Sequence, residues 1–350
     1  MRFEPPRCPY PVCPRHVAPA PDFYVRRGWY RARCRVERVP RFRCKSCRRT
    51  FSRQTFRHDY RDKRPQANAP LFRLLSSSVS LRQAARIVGL DIRSIVQKLA
   101  KSGRTCRGLL DNVEHRLPPG RTLILDEEES YEGSCIRTLT VPLLIDRDST
   151  FVLAYDAAPI RRLARAGSQR RARQDHEERH GRRADRGHAC VDDVVARVAR
   201  KLPHGGPVLV HTDEKPSYGP TLRRHFGSRL VHVRTSSKVA RDGANPLAPI
   251  NRAIAMGRDN CARLRRDTWS GTKKRDFLVS QLHLFAAYVN LQRRRFNHDP
   301  AHRTPACILG MLPRSLTPEE ILGWRQDWGL RSPHPLDASG RRSFGEFVAA

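Results

Sequence analysis

The sequence predicts an α/β protein in which a mixed five-stranded sheet follows two small N-terminal modules. Three observations support this prediction. After residue 118, short runs rich in Leu, Ile and Val alternate with longer stretches of helical periodicity. Five of the ten cysteines fall within the first 47 residues. Between residues 70 and 105, a glycine separates two amphipathic stretches.

The first module contains two close cysteine pairs, a Cys-Pro-Tyr-Pro-Val-Cys knuckle and a Cys-x-x-Cys motif. The stretches 23–30 and 33–43 between them are predicted strands. Paired thiolates at this spacing are typical of a tetrahedral zinc site, although small buried hydrophobes are the alternative. We expect a zinc ribbon over residues 1–57 that touches DNA or helps to pair two subunits. The predicted ligands are Cys8, Cys13, Cys44 and Cys47, with Cys34 and His16 as alternatives for a member of the first pair.

The second module has the signals of a helix-turn-helix over residues 70–105. Ser80 is a suitable N-cap for a helix that ends at Gly89, because glycine readily adopts positive φ. A second amphipathic helix is predicted at about 92–101. Such a helix is placed in the major groove of DNA, although a helical hairpin with no DNA role is the alternative. The residues expected to face DNA are Arg93, Ser94, Gln97 and Lys98.

The charge balance predicts a nucleic-acid partner. The chain has 68 Lys and Arg against 34 Asp and Glu, a formal charge of +34, with a pI of about 11.1. Contact between such an excess and phosphates releases counterions. An Arg-rich composition without this role is the alternative. No run reaches the roughly 18 apolar residues of a membrane helix, and no export signal opens the chain. We therefore expect a cytoplasmic, nucleoid-associated protein without a membrane partner.

The central region places two aspartates where apolar runs end, Asp126 after 122–125 and Asp213 after 207–212. Three meandering strands followed by a helical crossover are expected to set the two acids side by side. Converging carboxylates on a basic chain indicate divalent-metal chemistry on a phosphate backbone, although turn capping at strand ends is the alternative. The expected strands lie near 121–126, 136–146, 151–156, 207–212 and 229–233, and the helices near 190–202, 217–226, 246–265 and 273–297.

Two segments are expected to lie outside this packed core. Residues 161–188 are dominated by arginine and contain almost no apolar side chains, so they are predicted to be a mobile basic insertion that contacts DNA. The histidines of this stretch are interpreted as solvated surface groups. Residues 298–350 are predicted to form a Pro-rich tail with one short helix at 318–328.

Several motifs together resemble the transposases of the insertion sequence one family of bacteria. The resemblance covers roughly residues 8 to 297, and the motifs occur in the family's order. They are Arg41–Phe51, Ala84–Gly89, Asp126–Ser134, His211–Asp213 followed by Tyr218, an Asn251-containing helix ending at 262–266, and 270–274.

This resemblance implies a ribonuclease-H-like catalytic domain over residues 118–297 with an acidic DDE site. In such enzymes two Mg²⁺ or Mn²⁺ ions are held by three carboxylates, and DNA strands are cut and joined. Asp126 and Asp213 match the first two acids. The implied partners are double-stranded DNA, both the element's terminal inverted repeats and the target, and a second copy of the chain in a homodimer or larger assembly.

The sequence departs from the family at the third acid, where Ala248 stands. A DNA transposase of an insertion sequence is the expected function. A transposase-derived DNA-binding protein that has lost cleavage is the alternative. A nuclease acting on RNA is less favoured, because A-form RNA hides its major groove from a helix. Candidates for the third ligand are Asn251, Asp242 and Asp259, and Glu127 or Glu128 beside Asp126.

Overall fold

The computed structural model describes residues 3–31, 38–162, 168–236, 238–240, 242–265 and 269–325. Their contacts divide them into two compact units, 3–70 with 317–325 and 71–316. Cys34, the end of the short helix expected at 318–328 and residues 326–350 of the expected tail lie outside the described residues. The domain boundaries drawn from the sequence stay predictions.

The N-terminal unit contains a small antiparallel sheet. Its elements are α1 (Pro14–Val17), β1 (Tyr24–Arg31), β2 (Arg38–Cys44) and β3 (Thr50–Ser52), with the strands in the order β1-β2-β3. Phe23, Phe42, Phe51 and Phe56 are buried together behind the sheet, and the Phe42 and Phe51 rings stack at 5.8 Å. So small a core normally needs a metal or disulfides to be stable. A further short helix, α11 (Pro318–Gly323), belongs to the same unit.

The predicted helix pair is present, but its second helix is much longer than expected. The helices here are α2 (Asn68–Leu75), α3 (Leu81–Val88) and α4 (Ile92–Glu114). Ser80 and Gln83 form a reciprocal capping box, and Gly89 ends α3 at a φ of 63°. The periodic burial of α4 continues far past residue 101. Its later turns pack on α9 (Arg275–Ala287) instead of ending at the surface.

The large unit is built on one mixed sheet of six strands, one more than predicted. The strands are β4 (Thr122–Glu132), β5 (Ser134–Asp146), β6 (Val152–Tyr155), β7 (Ala158–Pro159), β8 (Val208–Thr212) and β9 (Leu230–Arg234). Their order is β6-β5-β4-β8-β9, and β7 pairs with β5. The extra strand is two residues long and contains a proline, so it carries no strand pattern in the sequence.

Helices cover both faces of this sheet. They are α6 (Gly187–Ala199), α7 (Tyr218–Phe226) and α8 (Ala248–Asn260), followed in the chain by α9, a π-helical turn (Tyr288–Gln292) and α10 (Pro305–Ile308). Glu127 of β4 bonds to Tyr218 of α7, and the next residue, Glu128, bonds to Arg258 of α8. Neighbouring residues of a strand point to opposite faces, so α7 and α8 lie on opposite faces.

The basic insertion is more ordered than the sequence indicated. Helix α5 (Ser168–His180) lies within it, a regular element that the polar composition did not indicate. Arg161 forms a two-bond ion pair with Glu177 of α5, and Arg183 bonds to the Thr138 carbonyl of β5. Ion pairs and good helix formers replace the missing apolar face. Among the described residues, no helix is both long and apolar enough to cross a membrane.

Candidate active site

Asp126 and Asp213 lie at matching positions of adjacent parallel strands. The pairing of β4 with β8 joins Thr122 to Leu209 and Ile124 to His211, a constant offset of 87 residues. Continuing that offset by two residues sets Asp126 (126 + 87 = 213) level with Asp213, one residue beyond the end of β8. Parallel strands in register place such side chains on the same face. The two aspartates are therefore neighbours at one edge of the sheet.

The electrostatics of Asp126 show that this edge is crowded with negative charge. Burial raises the pKa of Asp126 to about 6, the Glu127 N–H bond lowers it, and the charges of Asp213, Glu127 and Glu128 raise it again. Asp213 also accepts a hydrogen bond of 2.9 Å from the Lys215 backbone, so it does cap a turn. Like charges held this close favour either a proton or a cation. Mg²⁺ and Mn²⁺ prefer carboxylate oxygens, and the pair fits such an ion.

A cleft of about 590 Å³ opens beside Asp126, between β4 and the start of α8. Asp242 and Asn251, two of the residues considered for the third ligand, line it. Asp259 is exposed and is not among the residues lining the cleft. Ala248 lines the cleft where the resemblance expects a glutamate. Among the described residues, only a group of four cysteines brings three or more metal-ligating side chains within 4.8 Å of one another.

Two glutamates of β4 have clear and different roles in this arrangement. Glu128 lines the cleft with Asp126, is 5% exposed, and receives two hydrogen bonds from Arg258 of α8. Glu127 also borders the cleft, but its carboxylate accepts bonds from Tyr218, Thr140 and Lys215, toward α7. The period-2 alternation of a strand separates the two glutamates, and it was available from the sequence. The contact of Arg258 with Glu128 could not be predicted from the sequence, because it depends on how α8 packs against the sheet.

A second candidate metal centre lies in the N-terminal unit. The Sγ atoms of Cys8 and Cys47 are 3.7 Å apart, as are those of Cys13 and Cys44, and all four lie within 4.8 Å of one another. Disulfide sulfurs would be about 2.05 Å apart. Four sulfurs at about 2.3 Å from a tetrahedral zinc are about 3.8 Å from each other, so the four cysteines fit Zn²⁺. His16 is not part of this group, and its Nδ1 lies 2.8 Å from the Cys8 carbonyl oxygen.

The comparisons with known proteins give little beyond this geometry. No protein-family model matches the chain, and no curated protein does. Among solved structures, the chain is similar to the catalytic domain of Mos1 mariner transposase. The two are 14% identical, with a TM-score of 0.24, over 54% of this chain and 88% of that one. Such a slight likeness transfers no residue role.

The residues expected to face DNA on α4 are not all at the surface. Arg93 and Gln97 are exposed, and Ser94 is half-buried. Lys98 is only 6% exposed, which corrects its assignment to a DNA-facing surface. The cause is the longer helix, whose buried side includes Lys98 between Ile95 and Ser102. The same length adds exposed Arg104 to the face of Arg93 and Gln97, about three turns along.

Proposed function

We propose that this chain is a DNA transposase of the insertion sequence type, with a ribonuclease-H-like catalytic domain. The register that brings Asp126 and Asp213 together on adjacent parallel strands is the observation that carries the proposal. An antiparallel meander joined to two parallel strands, in the order β6-β5-β4-β8-β9, supports the proposed fold. The formal charge of +34 supports a polyanionic substrate.

The residues of the site have different proposed roles. Asp126 and Asp213 would hold the divalent cations, which, when bound, supply an activated water and stabilise the leaving oxygen. Arg252 and Arg258 line the same cleft and attract the phosphodiester to it. Glu127 accepts a hydrogen bond from Tyr218 of α7, and this bond connects β4 to α7 next to Asp126. An ionised Asp126 is available to a cation above its pKa of about 6.

The other parts of the molecule are proposed to bind and position DNA. The cysteine group would hold Zn²⁺ and keep the ribbon folded, and α4 would present Arg93, Ser94 and Gln97 to the major groove of the terminal inverted repeats. A homodimer or larger assembly would hold both ends of the element.

Strand cleavage tests the catalytic proposal. Duplexes carrying the inverted repeats that flank the gene would be incubated with the protein and Mg²⁺ or Mn²⁺, and nicked strands measured on denaturing gels. We expect nicking by the parent protein, abolished by Asp126→Asn and by Asp213→Asn with DNA binding retained. Nicking that persists in both variants would contradict the proposal.

A second function is favoured by one specific arrangement. Ala248 supplies no third ligand, and Arg258 neutralises Glu128 beside Asp126. These two facts support a DNA-binding protein of transposase descent that no longer cleaves. Under that alternative, the parent binds the repeats tightly, shows no nicking with either cation, and binds equally well after Asp126→Asn.

A further inference from the structure

A basic cavity of about 350 Å³ lies next to the cleft that Asp126 lines, which we call the acid cleft. Arg252 of α8 lines both the cavity and the cleft, and the remaining arginines of the cavity follow the π-helical turn. No acidic side chain lines the cavity. We call this site the arginine cavity, and its charged members are Arg252, Arg293, Arg294 and Arg295.

The positive charge of the arginine cavity is not neutralised within the part of the chain that the structure describes. No ion pair joins any of its four arginines to a described carboxylate, although nearby Arg303 does pair with Asp299. The Nε of Arg295 is buried without a hydrogen-bond partner. Burial, followed by the charges of Arg252 and Arg293, lowers the pKa of Arg295 to about 10. Buried donors that lack a partner favour an anionic ligand.

Apart from Thr150, Asn297 and His298, the rest of the wall is apolar and partly aromatic. Val152, Met256, Phe285 and Val289 line the cavity, and none of them offers a charge to a ligand. The Phe296 ring is 46% exposed and has the Arg295 guanidinium 4.3 Å above its centroid. Aromatic rings and arginine planes are the groups on which nucleobases stack. The cavity therefore suits a ligand that combines a phosphate with a flat apolar ring.

The size of the arginine cavity limits that ligand to a single nucleotide. Its volume is at the lower end of the range of about 300–1,000 Å³ found for small-ligand sites. A base inside a duplex is stacked and paired, so it enters such a site only after leaving the helix.

We propose that the arginine cavity binds one unpaired nucleotide of a DNA strand, with its phosphate on the arginines and its base against Phe296. The inference rests on the proposed function, because it takes DNA as the substrate. Arg252 connects the two sites, so a strand with one phosphate in the acid cleft has a neighbouring nucleotide at the cavity.

Binding to single strands tests the proposal with matched variants. Affinity for a single-stranded oligonucleotide and for a paired duplex of the same sequence would be measured by fluorescence anisotropy at several salt concentrations, without added divalent cation. Arg295→Gln is the cavity variant. Arg200→Gln removes the same charge from an exposed position outside the cavity and is the control. Circular dichroism would check that both variants fold.

We expect Arg295→Gln to weaken single-strand binding by about tenfold, and to reduce the salt slope by about 0.7, the value for one phosphate contact. Duplex binding and the control should change by less than about twofold. Equal losses in Arg295→Gln and Arg200→Gln would overturn the proposal, because they would show a general charge effect.

Phe296→Ala provides a second test, because Phe296 is half exposed and contributes little to the core. We expect a further loss of about tenfold for single strands, the effect of removing one stacked base. An unchanged affinity would exclude a base at this ring. Competition with free mononucleotide distinguishes two possible occupants, a nucleotide within a strand and a free nucleotide. If millimolar mononucleotide fails to displace the oligonucleotide, the occupant is a nucleotide within a strand.

The outcome is independent of cleavage. If the parent protein never nicks DNA but these variants lose single-strand binding, the proposed catalysis fails and the arginine cavity stands. If nicking is observed and the variants bind normally, the cavity proposal fails alone.

Discussion

The ribbon and the acid cleft both gather metal-ligating side chains, but they do so over different distances along the chain. The ribbon uses two cysteine pairs within 40 positions, and its four sulfurs meet within 4.8 Å. The cleft depends on Asp126 and Asp213, which are 87 residues apart and meet only through the register of β4 with β8. Among the described residues, no third carboxylate completes the cleft in the way that the fourth cysteine completes the ribbon.

This difference shows how charge is balanced in each site. The cysteine group has four ligands for one zinc, and backbone N–H groups of Ser46 and Cys47 bond to the Cys44 sulfur. The cleft is lined by acidic side chains, Asp126, Glu128 and Asp242 among them, and by two arginines, Arg252 and Arg258, and the charge of Asp213 acts on Asp126. The four cysteines could hold one structural ion, whereas Asp126 is both buried and close to other carboxylates. The predictions below test this contrast from the largest effect to the smallest.

Loss of zinc is expected to have the largest effect. Cys44→Ser removes one of four ligands, and structural zinc contributes roughly 10–16 kcal/mol of binding free energy in small zinc domains. We expect bound zinc, measured by plasma mass spectrometry, to fall from one ion per chain to near zero. Rapid proteolysis within the first 70 residues should follow. Cys135→Ser, at an exposed cysteine outside the group, is the control and should keep its zinc. A zinc-free parent protein with a protected ribbon would contradict the assignment.

The ribbon was accessible from the sequence because its geometry is local. Cys44 and Cys47 are held by a single turn, and their spacing alone indicates a metal knuckle. The same holds for the Ser80 to Gln83 capping box, which joins residues three apart. The two aspartates were also found, because apolar runs ended at them and a crossover rule placed the strands side by side.

What the sequence missed depends on packing between distant segments. Lys98 lies on the buried side of α4, a helix that continues to Glu114 and packs on α9, which no local pattern of residues 92–101 reveals. Trp269 is a large apolar side chain, yet it is 97% exposed. Arg258 reaches Glu128 across 130 positions. Helix α5 has a polar composition, and its Glu177 pairs with Arg161, 16 residues earlier in the chain.

Neutralising Asp126 should stabilise the protein in the absence of divalent cations. The folded-state pKa of about 6 lies above the ordinary carboxyl range, so between about pH 4 and 6 the folded protein keeps a proton that the unfolded chain has released. Stability therefore falls as pH rises through that window. The deficit persists above pH 6. For a partly exposed group we expect Asp126→Asn to recover roughly 1–3 kcal/mol at pH 8 and nothing at pH 4.

Chemical denaturation of the parent and variant at both pH values measures this effect. The charged groups around Asp126 are unchanged in the comparison; they are Asp213, Glu127, Glu128, Asp242, Arg252 and Arg258. Glu178→Gln, at an exposed acid of α5, corrects for the loss of one negative charge from a very basic protein. Equal stability of Asp126→Asn and the parent at pH 8 would show that the repulsion is relieved in another way. Mn²⁺ should stabilise the parent but not Asp126→Asn.

Removal of Arg258 takes a positive charge from the cleft, whereas Asp126→Asn takes a negative one. Arg258→Gln removes the two hydrogen bonds that Arg258 donates to the Glu128 carboxylate, a group in a residue only 5% exposed. Breaking a fully buried pair costs about 3–5 kcal/mol, but the Arg258 side chain is 41% exposed, so we expect a loss of roughly 1–2 kcal/mol. Because the variant lacks the positive charge of Arg258, the affinity of the cleft for Mn²⁺ should also rise. Paramagnetic resonance measures this affinity. Arg200→Gln is the control for charge. Weaker Mn²⁺ binding in Arg258→Gln would show that Arg258 does not compete with the cation.

The smallest effect on stability is expected at Ser80, whose side chain only caps the first turn of α3. Ser80 accepts a hydrogen bond from the Gln83 backbone N–H at 3.4 Å, and Gln83 returns one to the Ser80 N–H at 3.0 Å. Ser80→Ala should lower the free energy of unfolding by about 1 kcal/mol, as is usual for the loss of an N-cap. Ser77→Ala, at an exposed serine just before the helix, should change it by less than about 0.5 kcal/mol. Because α3 supports the start of α4, DNA affinity should fall with Ser80→Ala only near the melting temperature. A loss of affinity at 25 °C without a loss of stability would instead place Ser80 in the DNA contact.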